Sequence, residues 1–271
     1  MHETRRRGFA LVGPGRAGTA VAAGLLAAGY RCVAVAGRPG SSSARQVARR
    51  LGARATAVGA AGREAGVVIV ATPDAAIADA AAELAPGLAP AGLVVHLAGA
   101  VGVDALSPIA AVRPDVALGA LHPLQTLTGP GDALAGAWAA VAGPPAVRHL
   151  ALELGLRPFP IGDDRRAAYH AAAAVASNHL VALLGQVERL AARAGVPFAA
   201  FEPLVRRSVD HAWAEGPAAA LTGPVSRGDV ETVGRHLDAI GADEQRAYRA
   251  LADAALRLAG RDEPPLREVL A

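Results

Sequence analysis

The stretch Phe9-Ala10-Leu11-Val12-Gly13-Pro14-Gly15-Arg16-Ala17-Gly18 decides the fold of this chain. Its apolar run breaks into a glycine turn and then into a segment of helical composition, which predicts a strand, a tight turn and a helix start. Gly13 permits the turn, Gly15 lets backbone N–H groups approach a pyrophosphate, and Gly18 lets the helix pack closely on the strand. A second apolar run, residues 32–36, follows at the distance that a βαβ unit requires. The pattern predicts a Rossmann domain whose pyrophosphate is held by Gly13, Pro14, Gly15, Arg16, Ala17 and Gly18.

The end of the second strand indicates which dinucleotide binds. An NAD site usually has Asp or Glu there to accept hydrogen bonds from the ribose hydroxyls, whereas this chain has Gly37-Arg38-Pro39-Gly40 followed by three serines. Arg38 can pair with a 2′-phosphate, and Ser41 and Ser42 add donors at the start of the next helix. We therefore predict NADP(H) as the cofactor. In the alternative, Arg38 is a solvated turn residue and the serines only cap the helix.

Composition excludes several classes of protein. The 271 residues are 52% hydrophobic and carry a net charge of +3, which is typical of a globular protein with one large or two small domains. The arginine pairs, Arg165-Arg166 among them, are scattered, and we expect them to be solvated helix faces. Because only 3% of residues are aromatic, we expect no nucleic-acid partner. The single cysteine, Cys32, excludes a disulfide framework and a cysteine-rich metal site, and we expect no metal.

The sequence also bears on location and mechanism. The apolar run after Arg5-Arg6-Arg7 stops at the glycine turn, too early for a signal peptide. The longest apolar stretch, residues 167–184, contains polar side chains, so we expect a cytoplasmic protein without a membrane-spanning segment. The chain has no lysine, which removes Schiff-base chemistry, pyridoxal phosphate attachment and a lysine general acid.

Further apolar runs predict strands near residues 55–58, 67–70 and 93–95, with short helices between them. These runs lack polar alternation, as expected when helices cover both faces of a parallel sheet. Segments 116–118, 138–141 and 158–161 would extend that sheet. The predicted fold class is therefore α/β, with a doubly wound, mostly parallel Rossmann sheet in residues 1–162.

From about residue 163 the chain changes character and predicts an all-helical domain in residues 163–271 for substrate binding and dimerisation. Residues 164–194 are alanine-rich, contain glycine only at Gly185 and predict one long helix, with four or five further helices after it. Because this helix is apolar nearly all round, we expect it to be buried, either at the centre of the helical domain or against a second subunit. We therefore expect a homodimer.

Polar residues that follow the strands are candidates for the site, because ligands of such sheets bind at the carboxyl ends of the strands. We expect Thr72, Pro73 and His96 to line the cofactor. Asp74 is interpreted as the N-cap of the next helix. His122 is a candidate proton donor, since histidine titrates near neutral pH, although a histidine at a strand end often only bonds loop carbonyls.

The long helix provides the remaining catalytic candidates. His170, Ser177 and Asn178 fall at i, i+7 and i+8, on one helix face with the small Ala174 between them. This spacing leaves room for a ligand. Asn178 is the only asparagine in the chain, and its position within a helix indicates that something bonds it. In the alternative, His170, Ser177 and Asn178 only bond one another across helices.

A later turn, residues 221–229, offers candidate substrate contacts. Thr222 and Arg227 lie on either side of a Gly-Pro break, and Arg227 can bind a carboxylate with two hydrogen bonds. Asp229 is predicted to be the N-cap of a helix from Val230.

Together these motifs resemble those of the uncharacterised Rossmann-like proteins with a helical C-terminal domain of unknown function, relatives of ketopantoate reductase, pyrroline-5-carboxylate reductase and the beta-hydroxyacid dehydrogenases. The motifs are residues 13–18, 71–74, 122–126, 169–178 and 221–229. The resemblance implies an NADP-binding fold with a dimerising helical domain, and it supplies no established reaction. In the beta-hydroxyacid dehydrogenases a helix lysine stands one turn before an asparagine, whereas Ala174 stands there here.

Two functions follow from these residues. The first is an NADP(H)-dependent oxidoreductase that reduces a small keto or imino acid, a ketopantoate-like substrate included. His170 or His122 would donate the proton, while Asn178 and Ser177 orient the carbonyl or imine. Arg227 suits a carboxylate-bearing small molecule. The alternative is a non-catalytic NADP(H)-binding sensor or dimeric scaffold, which the absence of lysine favours and the histidines oppose.

Overall fold

The computed structural model describes residues 7–271, so Arg5 and Arg6 of the N-terminal basic run lie outside the described residues. The strands are β1 (Gly8–Val12), β2 (Arg31–Ala36), β3 (Arg54–Thr56), β4 (Val67–Val70), β5 (Leu93–His96), β6 (Ala117–Leu124), β7 (Trp138–Ala142) and β8 (Arg157–Pro160). They form one sheet of eight strands in the order β3-β2-β1-β4-β5-β6-β7-β8. Each predicted strand is present, and the third is shorter than predicted because a helix begins at Val58.

Helices connect the strands and build the rest of the chain. Up to the last strand they are α1 (Arg16–Ala27), α2 (Ser42–Arg50), α3 (Val58–Ala61), α4 (Ile77–Leu84), α5 (Ser107–Ala110) and α6 (Pro145–Glu153). After it come α7 (Arg166–Ala174), a π-helical segment (Val175–His179), α8 (Leu180–Arg193), α9 (Glu202–Glu215), α10 (Pro217–Ala220), α11 (Pro224–Arg227), α12 (Val230–Ala239), α13 (Ala242–Leu258) and α14 (Pro264–Leu270). Short 3-10 turns occur at Asp74–Ala76, Ala85–Gly87, Val103–Leu106, Asp163–Arg165 and Phe198–Phe201.

The sheet is parallel except at one pairing. β1 pairs in parallel with β2 on one side and with β4 on the other, so the strand order reverses beside β1. The parallel pairing continues through β5 to β6, whereas β6 and β7 are antiparallel. The predicted α/β class, with a mostly parallel sheet, is confirmed. A reversal of strand order opens a crevice at the carboxyl ends of the strands, which is where ligands of such sheets bind.

Alternate residues of the central strands build two apolar cores, one on each face of the sheet. In β1, Phe9 and Leu11 belong to one core, and Ala10 and Val12 belong to the other. All four side chains are fully buried. This explains why the strands have no polar alternation, since helices cover both faces of the sheet.

The chain divides into two compact units, of which the first ends at Ser177 and the second is Asn178–Ala271. The sequence-based boundary after residue 162 lies earlier and stays a prediction. The two divisions differ because the turn that starts the long helix packs on the first unit, where the Val103 N–H donates to Asp163 Oδ2 at 3.1 Å. The second unit has its own apolar core of Val233, Leu237, Ala252, Leu256, Leu266 and Leu270.

The long helix differs from its prediction in two ways. It is interrupted by the π-helical segment, and of its residues only Arg166, Gln186 and Ala191 are buried. The expectation that it lies at the centre of the helical domain is wrong, because that core is built from α12 to α14. Burial against a second subunit stays a prediction.

One helix in the described part of the chain, Asp163–Arg193, is long and apolar enough to cross a membrane, with a mean hydropathy of 1.2 over its best window. This is weak evidence for a membrane span, because it rests on length and composition alone.

Candidate functional site

The glycine turn after β1 is a tightly packed cradle. Gly13 has a φ of +88°, which favours glycine, and its N–H donates to the Ala36 carbonyl at 2.9 Å. A Cβ on Gly13 would lie 2.6 Å from the Ala71 carbonyl oxygen, and one on Gly18 would lie 2.6 Å from the Gly13 carbonyl oxygen. A Cβ on Gly15 would meet no described atom within 4 Å. The protein's own packing therefore requires Gly13 and Gly18, whereas the space in front of Gly15 is open.

The N-terminus of α1 borders this open space. Gly15 is the N-cap, and within the described residues no side chain caps the helix and no acidic residue lies in its first turn. The Thr19 hydroxyl donates to the Gly15 carbonyl at 2.8 Å and so holds the turn in place. First-turn N–H groups without a side-chain cap, together with the positive end of the helix dipole, attract an anion. The turn offers the backbone donors that a pyrophosphate needs.

A cavity of about 350 Å³ lies beyond the carboxyl end of β2. Arg38, Ser41, Arg45, Thr56 and Glu83 contribute its polar lining. The Glu83 carboxylate accepts from the Gly59 N–H at 3.3 Å, and the two guanidinium groups beside hydroxyls suit a phosphate monoester. The sequence reasoning missed Arg45 and Thr56. Arg45 lies one helical turn after Ser41, so helix periodicity could have indicated it, whereas Thr56 reaches the cavity only through the pairing of β3 with β2.

The serines after β2 play different parts. Ser41 is the N-cap of α2, because its hydroxyl accepts a hydrogen bond from the Ala44 N–H at 3.1 Å. It thus caps the helix, as in the alternative interpretation, and lines the cavity as well. Ser42 is the first residue of α2, is exposed, and is not among the described residues that line the cavity.

The residues after β4 correct one expectation. Asp74 was predicted to cap a helix, but a 3-10 turn begins there with Pro73 as the N-cap residue, and no side chain in this described segment caps it. The proline fixes the entry to the turn without a capping carboxylate. The Thr72 hydroxyl is buried and has no hydrogen-bond partner among the described residues. The backbone of Thr72 lies beside the cradle, because a Cβ on Gly13 would approach the Thr72 nitrogen to 2.8 Å.

His96, at the end of β5, is fully buried and both of its ring nitrogens are engaged. Its Nδ1 accepts from the Ala98 N–H at 3.2 Å, which leaves the proton on Nε2, 3.1 Å from the Gly102 carbonyl oxygen. Burial lowers its pKa and so favours the neutral ring. His96 therefore holds the loop after β5, and its predicted contact with the cofactor stays a prediction.

His122, Tyr169 and His170 form a ring cluster at the carboxyl end of β6. The last residue of β5, His96, pairs with Ala120 of β6. Because β6 continues beyond Ala120, His122 lies past the end of β5. Its Nδ1 lies 2.7 Å from the Tyr169 hydroxyl, and its ring meets that of His170 edge-on at 5.6 Å between centroids. The structure thus brings together two of the predicted histidines. Tyr169, as a site residue, is an addition that only the fold reveals.

The loop after β5 packs against this cluster. A Cβ on Gly99 would lie 2.4 Å from His170 Cδ2 and 2.9 Å from His122 Nε2, so only glycine fits there. Burial, followed by electrostatic interactions with His170 and Arg166, lowers the pKa of His122 to about 4. Burial raises the pKa of Tyr169 to about 12. At neutral pH both groups are uncharged, and the single hydrogen bond between them can run in either direction.

Arg166, at the start of α7, differs most from the expectation that the paired arginines are solvated. Its side chain is 0% exposed, and its Nε donates to Asp163 Oδ1 at 3.2 Å. Nη1 and Nη2 are buried without a hydrogen-bond partner in the described part of the chain. Burying polar groups unpaired costs on the order of 1–3 kcal/mol each, and more for a charged group. Arg165, next to it, is 74% exposed.

Ser177 and Asn178 lie in the π-helical segment. The Ser177 hydroxyl donates to the Ala173 carbonyl at 2.8 Å. Asn178 is exposed rather than buried. A π-turn contains more residues than an α-turn, so the regular helical spacing that the prediction assumed between His170, Ser177 and Asn178 does not continue through this segment. The roles of Ser177 and Asn178 stay predictions.

Thr222 and Arg227 are both exposed in the second unit. Arg227 ends α11, and Gly228 follows it in the left-handed conformation, with a φ of +73°. Asp229 caps α12 as predicted, because its Oδ1 accepts from the Thr232 N–H at 3.0 Å. The substrate contacts expected of Thr222 and Arg227 stay predictions. In residues 7–271 no three His, Cys, Asp or Glu side chains are grouped so as to hold a metal ion.

Solved structures share the fold over nearly the whole chain. A protein from Bacteroides fragilis assigned as an NADP oxidoreductase aligns with a TM-score of 0.80 at 24% identity, over 94% of this chain and 99% of that one. A protein from Thermotoga maritima aligns with a TM-score of 0.66 at 24% identity, over 97% and 98%. A reductive aminase from Aspergillus terreus, in complex with NADPH and ethyl levulinate, aligns with a TM-score of 0.67 at 18% identity, over 96% and 98%.

Two family models match different parts of the sequence. Residues 8–99 match NADP oxidoreductase, coenzyme F420-dependent, and residues 138–255 match a domain of unknown function, DUF2520. No curated protein sequence matches the chain. The match over residues 8–99 confirms the predicted cofactor type, NADP(H). The N-terminal part of the chain is therefore similar to the NADP oxidoreductase, coenzyme F420-dependent, family, and the C-terminal part is similar to the DUF2520 family.

Proposed function

We propose that the protein is an NADP(H)-dependent oxidoreductase that reduces a small keto or imino acid. The observation that carries the proposal is the hydrogen bond between His122 and Tyr169, with His170 against it, at the carboxyl end of β6. The glycine cradle lies at the carboxyl end of β1, and β4 and β5 separate the two strands. Three steps of about 4.8 Å between neighbouring strands place the ring cluster roughly 14 Å along the sheet from the cradle.

The residues of the cradle fit NADP(H). The open space at Gly15 and the uncapped N-terminus of α1 suit the pyrophosphate, and Arg38, Ser41 and Arg45 suit the 2′-phosphate. The buried, unpartnered Thr72 hydroxyl is placed to gain a partner when the cofactor binds. Pro14, Arg16, Ala17, Ser42, Pro73 and His96 complete the proposed set of cofactor contacts. Bound NADPH supplies the hydride of the reduction.

The ring cluster provides the proton. When Nδ1 of His122 carries the hydrogen, it donates to the Tyr169 oxygen and frees the Tyr169 hydroxyl to donate to a substrate oxygen or nitrogen. The reverse tautomer leaves Nε2–H of His122 as the donor. Since the pKa of His122 is lowered to about 4, the ring accepts a proton from Tyr169 only transiently, and His170 is the second candidate donor.

Ser177 and Asn178 are proposed to orient the carbonyl or imine. In this role the Ser177 hydroxyl would turn from the Ala173 carbonyl, to which it now donates, and donate to the substrate oxygen or nitrogen. We propose that Thr222 and Arg227 contact the substrate. The substrate is a small molecule that carries a carboxylate.

We propose a homodimer formed through α8 and α9. Several large apolar side chains of these helices are exposed, with Val181 at 68%, Leu204 at 62% and Trp213 at 86%. Apolar surface of this extent is typical of a protein interface. The substitution Trp213→Glu should shift the particle measured by light scattering from dimer to monomer. We place the protein in the cytoplasm, whose reducing conditions suit the free, buried Cys32.

The test of the proposed function has two stages. Calorimetric titration with NADPH, NADH and NADP⁺, repeated with Arg38→Ala, measures cofactor binding and preference. Nicotinamide oxidation is then followed with a panel of keto and imino acids, for wild type, His122→Ala and His170→Ala. Full turnover by both histidine variants would contradict the catalytic assignment. Binding of NADPH without turnover of any acid would favour the non-catalytic sensor or scaffold.

A further inference from the structure

The guanidinium group of Arg166 presents a free edge inside the protein. One side of the group is used, since Nε donates to Asp163 Oδ1 at 3.2 Å. The other side, formed by Nη1 and Nη2, is buried and has no hydrogen-bond partner among residues 7–271. A buried charged group with unsatisfied donors is costly, and native structures keep one where a ligand, an ion or a water completes it.

Asp163 cannot also occupy the free edge in this arrangement. Its second oxygen, Oδ2, accepts from the Val103 N–H at 3.1 Å, and its carboxyl carbon would lie 2.5 Å from a Cβ on Gly102. The carboxylate is thus fixed between the loop after β5 and the Nε side of Arg166. The Nη1–Nη2 edge keeps two parallel donors, which is the geometry that binds a carboxylate with two hydrogen bonds.

The same loop holds the ring cluster. Gly99 packs against His122 and His170, and Gly102 packs against Asp163. Three residues of chain span at most about 11 Å, so the Asp163–Arg166 pair and the ring cluster are held near one another. The charge of Arg166 acts on the rings as well. It adds to the lowering of the His122 pKa and opposes the larger rise that burial causes in the Tyr169 pKa. Both rings are neutral, so among these residues only the Asp163 carboxylate, on the Nε side, pairs with the charge of Arg166, and the donors Nη1 and Nη2 stay without a partner in the described part of the chain.

We infer that the Nη1–Nη2 edge of Arg166 is the receptor for the carboxylate of the substrate, and that the substrate is a 2-oxo or 2-imino acid. The inference rests on the proposed function and deepens it. In such acids the reacting carbon is bonded directly to the carboxylate, so an anchor near His122 and Tyr169 selects them over acids with a more distant carbonyl. Because Nη1 and Nη2 are buried, neighbouring side chains must move aside to admit the acid.

The inference is tested by the binding of oxalate, a planar probe that needs no turnover. Calorimetry on the full chain, with and without NADP⁺, compares wild type with Arg166→Gln and with Arg166→Lys. We expect wild type to bind oxalate and Arg166→Gln to bind it at least tenfold more weakly. Arg166→Lys keeps the charge without the two-pronged edge, so its affinity should fall between the two.

A matched control is available in the same helical turn. Arg165 is 74% exposed, and Arg165→Gln should leave oxalate affinity within twofold of wild type. Thermal melting shows whether Arg166→Gln is folded, and Arg166→Lys provides the comparison if it is not. Equal oxalate binding by wild type and the Arg166 variants would overturn the inference. So would the absence of binding to wild type, or a loss of binding on Arg227→Gln alone.

The two proposals fail separately. If oxalate binding depends on Arg166 but none of the keto and imino acids supports NADPH oxidation, the anion site stands and the proposed function is contradicted. Turnover of 2-oxo acids with a KM that Arg166→Gln leaves unchanged would keep the function and contradict the anion site.

Discussion

The cofactor end and the ring-cluster end of the sheet are built by opposite means. At β1 the backbone forms the site. Gly13 and Gly18 allow neighbouring segments of backbone to pack closely, and the N–H groups of the turn face open space. At β6 side chains form the site, since His122 meets Tyr169 and His170 from a distant part of the sequence. A backbone site tolerates change in the side chains around it, whereas a side-chain cluster fixes one chemistry. A backbone cradle of this kind can therefore bind the same cofactor in proteins that catalyse different reactions.

The largest expected effect breaks the ring cluster and spares the cradle. Tyr169→Phe and His122→Asn should each lower the turnover number by about 10²–10⁴-fold, the usual contribution of a positioned proton donor. NADPH affinity should stay within twofold, because neither residue contacts the cradle. Steady-state oxidation of NADPH measures the turnover number, and calorimetry measures NADPH affinity. His149→Asn, which changes an exposed histidine on α6, is the control and should leave both unchanged. Full turnover by Tyr169→Phe would contradict the role of the hydroxyl.

The next effect breaks the cradle and separates its two kinds of glycine. Gly13→Ala forces a side chain to a φ of +88° and a contact of 2.6 Å with the Ala71 carbonyl oxygen. We expect a loss of about 2–4 kcal/mol in the free energy of unfolding, together with loss of NADPH binding. Gly15→Ala should leave stability within about 0.5 kcal/mol while weakening NADPH binding, because its methyl group enters space that only the cofactor needs. Urea denaturation and calorimetry measure both. Equal destabilisation by the two variants would show that Gly15 is also packed.

The two ends also differed in how far the sequence could predict them. The strand, turn and helix around Gly13 were predicted because backbone geometry there depends on neighbouring residues, and so was Asp229 as a cap. Tyr169 joins His122 across the fold, and Arg166 is buried although its neighbour Arg165 is exposed. Neither fact has a local signal. The π-helical segment at Ser177 and Asn178 likewise departs from the regular period that the prediction assumed.

The ring cluster should make stability depend on pH. The pKa of His122 is about 4 in the folded protein, against 6.5 for an ordinary histidine. Between these values the unfolded chain binds a proton that the folded protein does not, so stability is present above pH 6.5 and is lost as pH falls towards 4. Between pH 7 and pH 4, the free energy of unfolding of wild type should fall by on the order of 2–3 kcal/mol more than that of His122→Asn. Urea denaturation of both proteins measures the difference, in which contributions from His96 and the carboxylates cancel. A constant difference across this range would contradict the burial of a neutral His122.

The cofactor preference is expected to change by a smaller amount. Arg38→Ala removes a charged partner of the 2′-phosphate, so NADPH affinity should fall about 10–100-fold while NADH affinity stays within twofold. Arg45→Ala should have the same sign and a smaller effect, because Arg38 remains in the cavity. Calorimetry with both nucleotides measures the ratio. Equal losses for NADPH and NADH would show that Arg38 supports the fold of the turn and does not read the phosphate.

We expect the smallest effect from a change to Thr72, a residue beside the backbone cradle. The Thr72 hydroxyl is buried without a partner, so Thr72→Val replaces an unsatisfied polar group with a methyl group of the same shape. The free energy of unfolding without cofactor should therefore stay unchanged or rise by up to about 1 kcal/mol. NADPH affinity should fall about three- to tenfold, because one hydrogen bond to the cofactor is lost. Denaturation with and without NADPH measures both effects in one experiment. Lower stability in the absence of cofactor would mean that the hydroxyl bonds the protein itself, and the cradle would then be complete without its ligand.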